Sequence, residues 1–220
     1  MYKIVVFDLD GTLVNSLYDL ADSVNKGLVK AGLKTHPVDA YKKFIGNGRE
    51  KLVERAMGEY KNDENLREIV WTTFNEEYAI HSNDHTEDYV GCAELLDKLS
   101  KKGILTGVLS NKPDEFVPEI LKKVYPNHKF TEAWGQKPQY KCKPDKESLT
   151  ALLALHNIKP QECLYVGDSN VDVFTAQNAG TDLVCVDWGF REKEELLEAG
   201  AEIVVSNAEE IYKIAVGTDK

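Results

Sequence analysis

Cysteine is scarce in this 220-residue chain, and the four residues Cys92, Cys142, Cys163 and Cys185 are widely spaced with no Cys-x-x-Cys. Cys163 and Cys185 fall in strand-like runs and read as small buried hydrophobes, which fits a reduced, cytoplasmic setting. Basic charge is also short, with 27 Lys and Arg against 37 Asp and Glu for a formal net charge of −10. Nucleic-acid binding wants a basic stripe, and membrane-surface binding wants a basic amphipathic segment; neither is present. No apolar run approaches the length of a membrane span. Met1-Tyr2-Lys3 leads straight into strand-like sequence, leaving no room for a signal peptide. Gly-x-Gly-x-x-Gly and Gly-x-x-x-x-Gly-Lys-Ser/Thr do not follow any strand, which argues against dinucleotide and Walker-type nucleotide sites. At 42% hydrophobic and 29% charged, without repeats or low-complexity segments, the chain reads as a soluble globular protein. It is long enough for one large domain, or one domain plus a smaller module.

Phe7-Asp8-Leu9-Asp10-Gly11-Thr12-Leu13-Val14 organises the rest. Ile4-Val5-Val6-Phe7 is a continuous apolar run of the kind buried on both faces in a parallel sheet. Residues i and i+2 of an extended chain point the same way, so Asp8 and Asp10 can address one site at the strand's carboxyl end. In open parallel sheets that is where ligands bind. Two close carboxylates need a cation or a shared proton, and hard oxygen ligands beside a substrate phosphate suit Mg²⁺. The competing reading is an exposed Asp-Gly turn.

Beyond Val14 the period becomes helical. Ser16 can cap a helix bearing Leu17, Leu20, Ala21, Val24 and Leu28, which Gly32 stops. Pro37 opens a short helix to about Ile45, Gly46-Asn47-Gly48 breaks it, and Leu52, Val53, Ala56 and Met57 mark a third. A fourth runs from about Asp63 to Ile80 and ends in the polar hinge His81-Ser82-Asn83-Asp84-His85. The His81/His85 spacing lacks the Glu of a zinc motif and reads as part of that hinge. From there helices and strands alternate, with strands at Ile104–Leu109, Phe130–Trp134, Cys163–Val166, Leu183–Val186 and Ile203–Val205. That pattern predicts βαβ units and an α/β fold with a doubly wound parallel sheet. Residues 1–14 and 83–220 form the core, and residues 15–82 are an all-helical unit inserted after the first strand.

Three further strand ends carry polar groups. Ser110 and Asn111 can donate to phosphate oxygens, although Ser-Asn-Lys-Pro also reads as a helix N-terminus starting near Pro113. Lys143, kept out of helix by Pro144, can neutralise a transferring phosphoryl group, or belong to a solvated basic loop with Lys137, Lys141 and Lys146. Asp168 and Asp172 lie at i and i+4, on one face of a helix start, where the helix dipole alone favours one acid. Gly46-Asn47-Gly48 and Arg49 can reach a ligand, or merely link two helices. The loop Trp188-Gly189-Phe190-Arg191 can border the site or pack as a loop.

Asp-x-Asp-Gly-Thr-Leu-Val, then Ser-Asn-Lys, Lys-Pro-Asp and Gly-Asp-Ser-x-x-Asp, each after a strand, resemble the haloacid dehalogenase-like superfamily of phosphohydrolases. Asn15-Ser16, Phe44-Ile45-Gly46-Asn47-Gly48 and Trp188-Gly189-Phe190 make the chain similar to the phosphoglycolate phosphatase group of that superfamily. Cys142 departs from the group, where a basic residue often precedes Lys-Pro. The resemblance implies a Rossmann-like core under a mobile helical cap, and a Mg²⁺-dependent phosphatase acting on a small phosphate monoester, 2-phosphoglycolate foremost. Asp8 would be the nucleophile that forms an aspartyl-phosphate, and Asp10 the general acid and base. Ser110, Asn111 and Lys143 would hold the phosphoryl group. Asp8, the main-chain carbonyl of Asp10 and Asp168 would bind the metal, with Asp172 in support. Gly46, Asn47, Gly48 and Arg49 would meet the substrate's other end. The implied partner is a small-molecule phosphate ester, not nucleic acid or membrane, for a cytoplasmic monomer or homodimer. A sugar-phosphate phosphatase or mutase, a nucleotidase or a pyrophosphatase shares these motifs. A receiver-like signalling module shares the clustered acids and lysine, but neither the helical insertion nor the Asp-x-Asp-Gly-Thr motif.

Overall fold

The computed structural model describes residues 1–217. Its first strand, β1 (Ile4–Phe7), is buried throughout. Val5 and Phe7 pack into one hydrophobic layer, Ile4 and Val6 into the layer on the opposite face, as the two-residue period requires. A short strand β2 (Val14–Asn15) then leads into α1 (Leu17–Lys30), a 3-10 helix (Val38–Lys43), α2 (Arg49–Met57), a second 3-10 helix (Gly58–Asn62) and α3 (Glu64–His81). Another short strand, β3 (Glu87–Asp88), pairs antiparallel with β2. The remaining chain alternates: α4 (Cys92–Lys101), β4 (Leu105–Pro113), α5 (Phe116–Val124), β5 (Glu132–Gln136), α6 (Glu147–Leu155), β6 (Cys163–Gly167), α7 (Asn170–Ala179), β7 (Asp182–Val186), α8 (Lys193–Glu198), β8 (Val204–Val205) and α9 (Ala208–Val216).

Six strands form one parallel sheet in the order β5-β4-β1-β6-β7-β8. Chain order reverses at β1, which makes the crevice beyond its carboxyl end the switch point where such sheets bind ligands. Leu95, Leu96 and Leu99 of α4, Val117 and Ile120 of α5 and Ile211 of α9 cover one face. Leu149, Leu152 and Leu153 of α6 and Ala176 of α7 cover the other. The result is a doubly wound α/β core carrying an inserted all-helical cap.

The cap has its own core, in which Leu20, Ala21, Val24 and Leu28 of α1 meet Val70, Phe74 and Tyr78 of α3. Each such Leu, fully buried, contributes about 1.5–3 kcal/mol. Gly27 permits the close crossing of the two helices, since a Cβ there would fall 2.7 Å from the Val70 carbonyl oxygen. Phe190, from the loop after β7, joins this cap cluster and links it to the core.

Several local expectations are corrected. Ser16 stands at the N-cap of α1 but makes no side-chain cap; its hydroxyl is drawn to Asp10 instead. The helix after Pro37 is a 3-10 helix. β4 does not stop at Leu109 but continues, past an irregularity in register, to pair Pro113 with Gln136. Lys112 is pushed toward extended backbone because it precedes proline, so α5 starts at Phe116 rather than Pro113. The pairing of β2 with β3, which ties the two cap linkers together, has too few residues to show any period. Within the hinge, His81 Nδ1 contacts Asp84 at 2.7 Å, whereas His85 contacts buried Asp19 through both its ring and its main-chain N–H. Thr86 donates to the same Asp19 carboxylate at 2.6 Å. The two histidines serve different carboxylates.

Candidate active site

Asp8 leaves β1 with both of its hydrogen-bonding contacts on Oδ1: the Leu9 N–H at 2.7 Å and Lys143 Nζ at 2.9 Å. Asp168 follows β6 and accepts from the Thr12 hydroxyl at 2.9 Å and the Phe190 N–H at 2.7 Å. Asp172 is wholly buried in the first turn of α7 and reciprocates the Ser169 cap. It also receives Lys143 Nζ at 2.8 Å and the Tyr165 hydroxyl at 3.1 Å. These three acids meet, each offering an oxygen within 4.8 Å of the others. Two glycines allow it. A Cβ on Gly167 would sit 2.3 Å from the Asp172 Cβ, and one on Gly189 2.3 Å from the Asp168 Cβ.

Three buried carboxylates around one ammonium leave a net negative, all-oxygen cluster. Burial pushes the Asp8 carboxyl well up, the Lys143 ammonium pulls it back, and Asp172 and Asp168 raise it further. Burial and Asp172 push Asp168 up to about 7, against the Phe190 N–H and Thr12 hydroxyl that favour its carboxylate. Burial opposes the charge on Lys143, but Asp172 and Asp8 more than offset it and hold the ammonium firmly protonated. Such a hard donor set suits a divalent cation like Mg²⁺, which would remove the need for a proton.

Asp10 is held apart from that cluster. Lys112 Nζ spans its two oxygens at 2.9 and 3.0 Å, and the Ser16 hydroxyl donates to Oδ1 at 2.5 Å. The Asp10 carboxylate is thus engaged by an ammonium and a hydroxyl. Lys112 closes the Ser-Asn-Lys motif, but nothing in the sequence pairs it with Asp10, and there it reads as part of a helix start.

Of the phosphate-binding candidates, Ser110 is buried at the end of the paired region of β4, with its Oγ accepting the Lys112 N–H at 3.2 Å. Asn111 lies beside it, and its side chain is engaged within the protein. Its side-chain NH₂ donates to the carbonyls of Gly46 and Lys143, and its Oδ1 accepts the Lys143 N–H at 2.8 Å. Its side-chain amide thus holds the cap loop and the Lys143 loop together. Lys143 does not belong to a solvated loop; its side chain is 3% exposed.

A cavity of about 50 Å³ lies between cap and core, lined by Asp8, Asp10, Ser110 and Lys112 from below. Gly46, Gly48 and Arg49 border it from the cap, but Asn47 is turned away and accepts from Arg55 at 2.7 Å. Arg49 donates to Asn75 at 2.7 Å and stacks over Trp71. The loop after β7 proves structural for both sides of the site. Trp188 donates to the Thr12 carbonyl at 3.2 Å, Phe190 supports Asp168, and Arg191 donates to the cap carbonyls of Lys42 and Ile45.

Fold and site together define a capped α/β enzyme with an acidic, lysine-bearing centre at the switch point of its sheet. Residues 5–186 match the haloacid dehalogenase-like hydrolases, and the chain belongs to that family. It is 32% identical over 209 residues to the phosphoglycolate phosphatase of Pseudomonas fluorescens, covering 93% of this chain and 76% of the relative. To the phosphoglycolate phosphatase of Pasteurella multocida it is 32% identical over 220 residues, covering 97% and 98%. The crystal structure of a predicted phosphoglycolate phosphatase from Haemophilus somnus superposes with a TM-score of 0.90 at 30% identity, covering 97% of each chain. Within the family the chain is a phosphoric monoester hydrolase resembling these phosphatases. No helix among the described residues is long and apolar enough to cross a membrane.

Proposed function

We propose that this protein is a Mg²⁺-dependent phosphatase that hydrolyses a small phosphate monoester, 2-phosphoglycolate foremost, through a phosphorylated Asp8. The observation that carries the reading is the unequal holding of two carboxylates on one strand end: Asp8 pairs with Lys143 beside Asp168 and Asp172, while Asp10 pairs with Lys112 and Ser16. Among the described residues no partner engages Asp8 Oδ2, so that oxygen is the one available to attack phosphorus. As the Asp8–phosphorus bond forms and the ester P–O bond breaks, Asp10, entering this step protonated, gives that proton to the leaving alkoxide. Asp10 then takes a proton from water, which attacks the same phosphorus and expels Asp8. Lys143 neutralises charge on the transferring group, and Ser110 donates to it. Asp8, the main-chain carbonyl of Asp10 and Asp168 would hold Mg²⁺, with Asp172 in support; when bound, the ion screens the clustered acids and neutralises phosphate oxygens.

Residues 15–82 act as the cap, closing over the site and excluding water from the first step. Gly46, Gly48 and Arg49 border the room left for the substrate's other end. The narrow cavity and the relatives named phosphoglycolate phosphatases both support a two-carbon substrate. Four free thiols support work in the cytoplasm. The test is turnover of a panel with Mg²⁺: 2-phosphoglycolate, sugar phosphates, nucleotides and pyrophosphate. Preference for 2-phosphoglycolate, stopped by chelation, is expected; turnover indifferent to chelator removes the metal, and a flat panel removes the substrate.

A further inference from the structure

Lys112 and Tyr78 hold polar capacity at the cavity that the chemistry above does not use. The Lys112 side chain is 2% exposed, and two of its three N–H donors are directed at Asp10. Its third is beside Tyr78 of α3, whose ring centre lies 5.1 Å from Nζ. Tyr78 is 1% exposed and lines the cavity from the cap side, yet its hydroxyl lacks a hydrogen bond of good geometry. Buried polar atoms are ordinarily paired, and this hydroxyl has the adjacent Lys112 ammonium to turn to but no well-formed bond, so it can take a ligand atom entering the cavity.

We propose that Lys112 and Tyr78 form the specificity site for a carboxylate on the leaving group, restricting the enzyme to phosphate esters of small 2-hydroxy acids. The inference rests on the phosphatase reading and deepens it. Lys112 lies one hydrogen bond beyond Asp10, and Asp10 protonates the ester oxygen. The carboxylate of a two-carbon hydroxy acid falls at that remove from the ester oxygen. There it would lie beside Asp10, with the Lys112 ammonium between the two groups and paired with the substrate's charge. A neutral alcohol end can accept a hydrogen bond from Tyr78 or Lys112 but lacks the charge that pairs with the ammonium, and charge-assisted bonds are roughly twice as strong as neutral ones. Arg49, the other cation on the wall, already donates to Asn75 and covers Trp71.

The experiment compares kcat/KM for 2-phosphoglycolate with that for 2-hydroxyethyl phosphate, which replaces the carboxylate by a neutral alcohol, using the full chain with Mg²⁺. The wild type should prefer 2-phosphoglycolate by at least about a hundredfold, and Tyr78→Phe should cut that ratio about tenfold, mainly through KM. Tyr78→Phe keeps the ring that packs on Phe74 and Phe116, so folding is not at issue. Lys112→Met should reduce the ratio further while also disturbing Asp10. An unchanged ratio in Tyr78→Phe overturns the proposal, as does a ratio that collapses only in Arg49→Gln. A wild type that hydrolyses both esters equally overturns it while the phosphatase stands; a wild type that hydrolyses neither overturns both.

Discussion

Lys143 Nζ lies 2.8 Å from Asp172 Oδ1, and neither side chain is more than 3% exposed. Asp172 therefore anchors the lysine that also reaches Asp8. Removing one partner of a buried pair leaves an uncompensated charge, which costs about 3–5 kcal/mol. Because Asp8 remains as a second anion, Asp172→Ala should fall near the lower end of that range, while Asp172→Asn, which keeps the hydrogen-bonding shape, should cost less. Denaturant unfolding measures the difference, and both variants should lose turnover as Lys143 drifts.

Asp168 gives a pH dependence with a defined sign. Between the ordinary carboxylate range and about 7, the metal-free folded protein holds a proton on Asp168 that the unfolded chain has released. Its stability should fall as pH rises through that window, because the folded state binds more protons than the unfolded one. Mg²⁺ must displace the proton, so apparent affinity should fall about tenfold per pH unit below about 7. Thermal melts and Mg²⁺ titrations at several pH values measure the two trends.

Gly189 packs its α-carbon against Asp168, where a methyl group would fall 2.3 Å from Cβ and 2.4 Å from Oδ2. Gly189→Ala should displace either the carboxylate or the Phe190 N–H that supports it. The overpacking should cost about 1–3 kcal/mol. Metal affinity should weaken together with kcat, and calorimetric titration with Mg²⁺ distinguishes this from a purely global loss of stability.

Arg191 reaches from the core loop to two carbonyls of the cap. Arg191→Met keeps the aliphatic stem but loses those bonds, and should favour an opened cap. The expected result is a severalfold higher KM for 2-phosphoglycolate with faster proteolysis at the linkers; unchanged KM and cleavage would show that the contacts do not hold the cap.

The placement of the site acids was legible where a short-range rule applies. Asp8 and Asp10 follow from the two-residue period of a strand, and Ile4 to Phe7 announce burial on both faces. Asp168 and Asp172 do converge, though not simply as one helix face: Asp168 precedes the N-cap Ser169, and Asp172 closes the capping box. What stayed hidden depends on contacts far apart in the chain. Lys112 meets Asp10 across 102 residues and Phe190 meets Asp168 across 22, and no local pattern encodes either. The Asn111 amide likewise bonds Gly46 of the cap and Lys143, contacts that no local pattern shows.

The central claim is that Asp8 carries the phosphoryl group. Rapid acid quenching of the enzyme with Mg²⁺ and radiolabelled 2-phosphoglycolate, followed by peptide mapping, tests it directly. The account predicts label on the peptide containing Asp8, and none in a folded Asp8→Asn variant that has lost turnover. Phosphate release without protein-bound label, or retained turnover in Asp8→Asn, would contradict it.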